Sequence, residues 1–207
     1  MEFKRIKGQN REMKNSVIST IIISKKLDAT FEDASEIERD VLLEESVFSA
    51  PSGMIMEFGV FSGNTINRIA SATHSKVYGF DSFEGLSEPW NGMNIGYFAA
   101  KLPEVRENVE LVVGLFQNTL DNFLESHLED VAFCHIDCDL YSSTDFVLRK
   151  LESRFKKGSI ILFDEIAHYP GYLNHEYKAF LEFLDYSNFD FECIGRRNQH
   201  GYAYRLC

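Results

Sequence analysis

Four carboxylates are the residues of this chain best suited to chemistry. They come in two short runs, Asp137-Cys138-Asp139 and Asp164-Glu165. Each run follows an apolar stretch that reads as a buried strand, residues 131–136 and 159–163. Residues two apart in a strand point the same way, so Asp137 and Asp139 are expected to project together. Neighbouring strands lie about 4.8 Å apart, which would gather both runs in one small volume. Carboxylates that close repel, and one stays protonated unless a cation is present. An all-oxygen donor set suits Mg²⁺, Mn²⁺ or Ca²⁺ rather than zinc. The competing reading is that one aspartate orients a neighbouring loop and the others are solvated. His168 and Tyr169, just past the second run, are placed for a general base or a substrate contact. Asp137 is the other candidate proton acceptor. His135 points elsewhere by alternation and reads as a buried, satisfied histidine.

A second constellation precedes the first. Glu57-Phe-Gly59-Val-Phe-Ser62-Gly63 follows an apolar stretch and opens a helix-like one. Glycines there let the backbone turn tightly and approach a ligand at the helix N-terminus. Phe61 takes the place of the middle glycine of the dinucleotide fingerprint, which counts against a pyrophosphate. Asp81 lies about twenty residues beyond the glycine turn, where an acidic side chain accepts the hydroxyls of a ribose. An aspartate capping its own turn is the alternative. Gly114-Leu-Phe116-Gln117 ends a third stretch. Phe116 and Gln117 suit an adenine ring by stacking and hydrogen bonding, and Phe116 as plain core is the alternative.

These residues share one feature: each follows a strand. The pattern predicts strands over 54–60, 76–80, 110–113, 131–136 and 159–163, then a closing pair over 189–194 and 202–206. Helices are expected over 64–72, 120–127, 144–155 and 175–186, with Ser142 or Ser143 capping the third. Apolar strands separated by helices imply a doubly wound α/β fold with a mostly parallel sheet. The last pair has no room for a crossover and should be an antiparallel edge hairpin. In such folds ligands bind beyond the carboxyl ends of the strands. Before the first strand, a helix is expected from an N-cap at Thr30, with Ala34, Ile37, Val41, Leu42 and Phe48 on its buried face and Arg39 facing away. Ala50-Pro51-Ser52-Gly53 would divide an N-terminal arm and cap helix, residues 1–53, from the main domain, 54–207.

The 207 residues carry a formal net charge of −11, which argues against a nucleic-acid binder. The first stretch is basic, with Lys4, Arg5, Lys7, Arg11, Lys14, Lys25 and Lys26 against Glu2 and Glu12, and reads as a solvated terminal arm, with contact to a membrane surface or an acidic partner as the alternative. Residues 17–23, read as a buried strand or helix turn, are far short of the roughly 20 apolar residues a membrane span needs. Cys134, Cys138, Cys193 and Cys207 form no metal-binding or disulfide pattern, so free thiols and a cytoplasmic setting are expected.

Four segments together resemble the macrocin O-methyltransferase family of class I S-adenosylmethionine-dependent methyltransferases. They are Glu57–Gly63, Tyr78-Gly-Phe-Asp-Ser-Phe-Glu-Gly85, His135-Ile-Asp-Cys-Asp-Leu-Tyr-Ser-Ser-Thr144 and Leu162-Phe-Asp-Glu165. The resemblance implies a seven-stranded methyltransferase fold. It implies that Glu57, Gly59, Ser62 and Gly63 line the cofactor's amino-acid part and that Asp81, with Ser82 beside it, holds the ribose. It further implies a divalent metal, Mg²⁺ first, on the aspartates after the fourth strand, Asp139 favoured, together with Asp164 and Glu165. The Asp-Glu pair stands where related enzymes often carry Asp-Asp or Asp-Asn. A small-molecule or sugar hydroxyl is the implied acceptor, with transfer in line from sulfonium to oxygen and Asp137, Asp139 and His168 as the groups around the reacting oxygen. Residues 87–103, long for a connection between strands, read as a mobile cover or as a surface loop with no catalytic duty, and the cap helix would close the pocket or serve a homodimer. A metal-dependent hydrolase is opposed by Asp81 and the glycine turn. A nicotinamide oxidoreductase is opposed by Phe61. A non-catalytic nucleotide-binding module is opposed by the crowded carboxylates.

Overall fold

A computed structural model describes residues 19–207. Lys4, Arg5, Lys7, Arg11 and Lys14 of the basic stretch lie outside the described residues, as does the start of the 17–23 stretch. From residue 19 the chain is helical to residue 33 (α1), and a second helix, α2, spans Arg39–Ser49. Then follow β1 (Met54–Phe58), α3 (Asn64–Ser71), β2 (Val77–Asp81), β3 (Val109–Val113), α4 (Phe116–Ser126), β4 (Val131–Ile136), α5 (Tyr141–Leu151), β5 (Phe155–Phe163), α6 (Glu176–Ser187), β6 (Phe191–Arg197) and β7 (Gly201–Leu206).

The seven strands form one sheet in the order β3-β2-β1-β4-β5-β7-β6. β3, β2, β1, β4 and β5 run parallel. β7 is antiparallel to both β5 and β6, so the closing hairpin inserts its second strand between β5 and β6. Strand alternation splits the core in two. Met54, Met56 and Phe58 of β1 face α1, α4, α5 and α6, while Ile55 faces α2 and α3. The strand order reverses between β1 and β4, and the carboxyl ends of these two strands open the crevice where ligands of such sheets bind.

The N-terminal region differs from expectation. Thr30 lies inside α1, where its hydroxyl donates back to the Leu27 carbonyl at 2.7 Å. The chain is extended between the two helices because it borders β6: Ile37 N donates to Arg196 O and Arg196 N to Ser35 O. That pairing overrides the helical pattern, and Glu38 becomes the cap of α2, accepting from Val41 N at 3.2 Å. The buried face is then Leu42, Leu43, Ser46 and Val47, leaving Phe48 89% exposed. α5 starts at Tyr141, three residues earlier than expected, and has no side-chain cap. Ser142 instead donates to Glu88 at 2.5 Å. No helix among the described residues is long and apolar enough to cross a membrane.

Candidate active site

A cavity of about 310 Å³ opens at the carboxyl ends of β1, β2, β3, β4 and β5. That size is within the range of small-molecule sites, roughly 300–1,000 Å³. Gly59 and Phe61 line it from the turn after β1, Asp81 and Ser82 from β2, and Phe116 and Gln117 from the start of α4. Asp137 and Asp139 line it from beyond β4, and Asp164 and Glu165 from beyond β5. Five carboxylates and no lysine, arginine or histidine are among the lining residues.

The glycine turn is fixed by backbone packing. Gly59 sits at φ +93°, and a Cβ there would lie 1.7 Å from the Asp137 carbonyl oxygen. The turn after β1 is thus pressed against the acidic segment after β4. Asp81 ties the turn down from the other side. Its Oδ2 accepts from Val60 N and Phe61 N, both at 2.8 Å, and its Oδ1 accepts from Phe83 N at 2.7 Å. A carboxylate oxygen has two lone pairs, so Oδ1 keeps one for a ligand. The two readings of Asp81 are compatible: it caps its turn and faces the cavity. Phe116 stands edge-on to Phe58, ring centroids 5.3 Å apart, so it is core on one side and cavity wall on the other.

β4 ends at Ile136, so Asp137 and Asp139 leave the strand before alternation can align them. Asp139 adopts φ +61°, and that left-handed turn brings it to the cavity beside Asp137. Burial pushes Asp137 well above the usual carboxylate range, and the Asp164 charge adds to this. Asp139 is pushed up to about 8, first by burial and then by a proton shared with Glu165, which burial also raises.

Asp164 is different. Burial opposes its charge, but a histidine and two arginines outweigh burial and hold it down at about 2. Arg197 of β6 pairs with its Oδ2, Arg39 of α2 stands 3.5 Å from its Oδ1, and His135 Nε2 stands 3.7 Å from the same oxygen. Behind the wall, His135 Nδ1 bonds Glu57 Oε1 at 2.9 Å. Burial disfavours the imidazolium, yet the carboxylates of Asp164 and Glu57 outweigh it and raise His135 to about 9.

The structure therefore gathers Gly59, Asp81, Ser82, Phe116, Asp137, Asp139, Asp164 and Glu165 around one cavity. Glu57 stands behind that wall, 0% exposed, with Oε2 lacking a partner among the described residues. Ser62 and Gly63 continue the glycine turn toward α3 and are not among the lining residues. His168, at φ +63°, lies exposed with its ring 5.5 Å from that of Phe31, outside the cavity wall. Two contributors carried no sequence signal. Arg39, expected to face solvent, bonds Thr65 Oγ1 at 3.0 Å and approaches Asp164. Arg197 reaches Asp164 only because β6 is folded back beside β7. Residues 86–100 bring Leu86, Ser87 and Phe98 to the cavity wall, and the segment is closed by Leu86 N to Tyr97 O and Gly96 N to Leu86 O. Trp90 anchors that segment against Leu86, Leu140 and Tyr169.

A seven-stranded sheet with an antiparallel seventh strand, a glycine turn after β1 and an acid ending β2 together define the class I methyltransferase fold. The chain belongs to the methyltransferase domain family, whose model matches residues 56–166, and it is an enzyme of that class. Among solved structures it is similar to the calicheamicin methyltransferase CalS11, at 20% identity and TM-score 0.65 over 91% of each chain. It is also similar to the O-methyltransferase NovP, at 20% identity and TM-score 0.62 over 81% of this chain and 78% of that one. An O-methyltransferase from Bacillus cereus in complex with SAH aligns at 12% identity and TM-score 0.52. No curated protein matches the chain.

Proposed function

We propose that this methyltransferase uses S-adenosylmethionine to methylate a hydroxyl oxygen on a small molecule or sugar, assisted by a divalent cation, in the manner of the macrocin-type enzymes it resembles. The observation that carries this reading is one acidic cavity shared by the glycine turn, the Asp81 acceptor and the carboxylates after β4 and β5. Structurally similar proteins are O-methyltransferases, and one structure holds SAH.

The residues fit the cofactor by charge and by acceptor count. S-adenosylmethionine supplies an electrophilic methyl group on a positively charged sulfonium, and the cavity wall carries carboxylates with no basic side chain. Asp81 Oδ1 keeps a free lone pair for a ribose hydroxyl, while Gly59, Ser82 and Phe116 line the wall around it. Glu57, Ser62 and Gly63 support the amino-acid end through the turn they belong to.

The oxygen-only floor also fits a hard cation. Asp139 and Glu165 line the cavity as the ligands to expect, beside Asp137, whose carboxylate lies within 4.8 Å of ligand atoms of His135 and Asp164. Such an ion would lower the pKa of the acceptor hydroxyl. Asp164 is already neutralised by Arg197 and Arg39, so its role here is to hold the floor in place. Asp137, ionised once the cation is bound, is the group to take the acceptor's proton. All four cysteines are free, in keeping with a reducing, cytoplasmic setting.

Calorimetric titration with S-adenosylhomocysteine, with and without Mg²⁺, tests the proposal. Micromolar binding, with Mn²⁺ bound by the wild type and lost in Asp139→Asn, is the expected result. Absence of cofactor binding would remove the reading, and metal binding untouched by Asp139→Asn would remove the metal from it.

A further inference from the structure

Arg39 stands beside the acidic cavity with hydrogen-bond donors to spare. It opens α2, and its Nη2 donates to Thr65 Oγ1 at 3.0 Å and reaches Asp164 Oδ1 at 3.5 Å. Asp164 lines the cavity, and Thr65 lies in the first turn of α3, just after the glycine turn. The guanidinium therefore joins the helix that follows β1 to the acid that follows β5. A guanidinium carries five N–H donors in a planar fork. Both contacts here use Nη2, and Nε and Nη1 make no hydrogen bond among the described residues. The side chain is 44% exposed, which leaves those donors within reach of a ligand. Arg197 differs: it is 13% exposed and contacts Asp164 through both side chain and backbone, so Asp164 keeps a partner whatever Arg39 binds.

The cofactor read for this cavity has one group that the wall does not answer. S-adenosylmethionine ends in an amino acid, whose carboxylate carries a full negative charge. No lysine, arginine or histidine is among the lining residues. Sheet order indicates where that carboxylate goes. Asp81, the ribose acceptor, ends β2, and β1, β4 and β5 follow it across the sheet. A cofactor with its ribose at Asp81 and its amino-acid part at the glycine turn runs over the end of β1 toward β4 and β5. Arg39, bonded to Thr65 and close to Asp164, stands at the far end of that path. The first turn of α3 carries no acidic residue and no side-chain cap, so the helix itself brings no like charge there.

We propose that Arg39 binds the amino-acid carboxylate of the cofactor, through the donors that Thr65 and Asp164 leave free. A guanidinium suits that duty because its fork matches the two oxygens of a carboxylate. The inference rests on the methyltransferase reading and adds a cofactor residue from α2, outside residues 56–166 that the family model matches. A phosphate on a nucleotide-linked acceptor would offer the same anionic chemistry, and the test separates the two.

The test is calorimetry with two ligands that share a nucleoside. S-adenosylhomocysteine carries the amino acid, and methylthioadenosine lacks it. Arg39→Ala should weaken S-adenosylhomocysteine by about tenfold, the loss of a partly exposed charge-assisted bond, and leave methylthioadenosine within about twofold. Arg39→Lys should recover part of the loss, since it restores the charge without the fork. Lys157→Ala removes the same charge from an exposed position in the first half of β5, away from the carboxyl end where the cavity lies, and should change neither affinity. Equal losses for both ligands in Arg39→Ala would make the residue a support of the fold and overturn the proposal. Unchanged S-adenosylhomocysteine affinity in Arg39→Ala, or an equal loss in Lys157→Ala, would overturn it too. So would weakened binding of thymidine diphosphate-glucose with S-adenosylhomocysteine untouched, which would assign Arg39 to the acceptor. Wild-type protein that binds neither nucleoside ligand would instead sink the methyltransferase reading itself.

Discussion

Arg197 grips Asp164 twice, pairing with side-chain Oδ2 and donating from Nη2 to the backbone carbonyl at 3.0 Å. The two residues come from β6 and from the segment after β5, so this contact ties the edge hairpin to the floor of the site. Both side chains are mostly buried, at 13% and 19% exposure. Removing one partner of such a pair leaves a charge in poor solvent, which costs about 2–4 kcal/mol here after allowing for the remaining exposure. Arg197→Met should therefore lower stability at neutral pH. Asp164 is depressed in the folded state, so the stability it adds is present above its unfolded pKa, about 3.9, and fades as pH falls through about 2. The gap between wild type and Arg197→Met in thermal unfolding should narrow over that interval. A gap of constant width from pH 7 to pH 2 would show that the pair does not act through Asp164.

His135 makes the opposite prediction. It is buried between Glu57 and Asp164, and its pKa is raised to about 9. A group raised on folding adds stability that is complete below its unfolded pKa, about 6.5, and disappears as pH rises through about 9. The contribution is on the order of 2–3 kcal/mol. In metal-free buffer the wild-type melting temperature should fall between pH 6.5 and pH 9.5. His135→Asn should start lower and stay nearly flat over that window. Equal slopes for the two proteins would assign the titration to other groups.

Asp81 separates structural from ligand duties. Three backbone amides occupy its oxygens, and one lone pair on Oδ1 remains. Asp81→Asn keeps one acceptor oxygen but puts an NH₂ group where the other carboxylate oxygen stood. It should lose affinity for S-adenosylhomocysteine by about tenfold to a hundredfold, equivalent to roughly 1.4–2.8 kcal/mol, because a strong hydrogen bond and the turn geometry go together. Asp81→Ala should lose more. Calorimetry with both variants checks the order, and unchanged affinity in Asp81→Ala would take this residue out of cofactor binding.

How much of this was legible in the sequence follows from which contacts are local. The strands and the cavity residues at their ends were readable because apolar runs and the acids or glycines after them are neighbours in the chain. Asp137 and Asp139 were placed correctly on a mistaken ground: alternation does not reach them, and a left-handed turn at Asp139 does the work. The register of the N-terminal helices was missed because residues 35–37 pair with β6, some 160 positions away. Arg39 and Arg197 were hidden for a like reason, since they meet Asp164 from 125 and 33 positions away. Both lie outside residues 56–166, the stretch matched by the family model, and no local pattern marks either as part of the site.

The covering segment hinges on Gly85, at φ +79°, where a Cβ would lie 2.3 Å from the Tyr97 carbonyl oxygen. That carbonyl accepts from Leu86 N at 2.8 Å, so an alanine at position 85 must displace the bond that closes residues 86–97. The far end of the segment is held separately by Trp90, 5% exposed, packed with Leu86, Leu140 and Tyr169. Gly85→Ala should thus loosen the mouth without unfolding the sheet, at a local cost of about 1–3 kcal/mol. In hydrogen exchange the amides of Leu86 and Gly96 should speed up by about tenfold or more, while those of β4 keep their wild-type rates. Uniform acceleration across the whole chain would instead show that Gly85 supports the fold at large and not the mouth of the cavity.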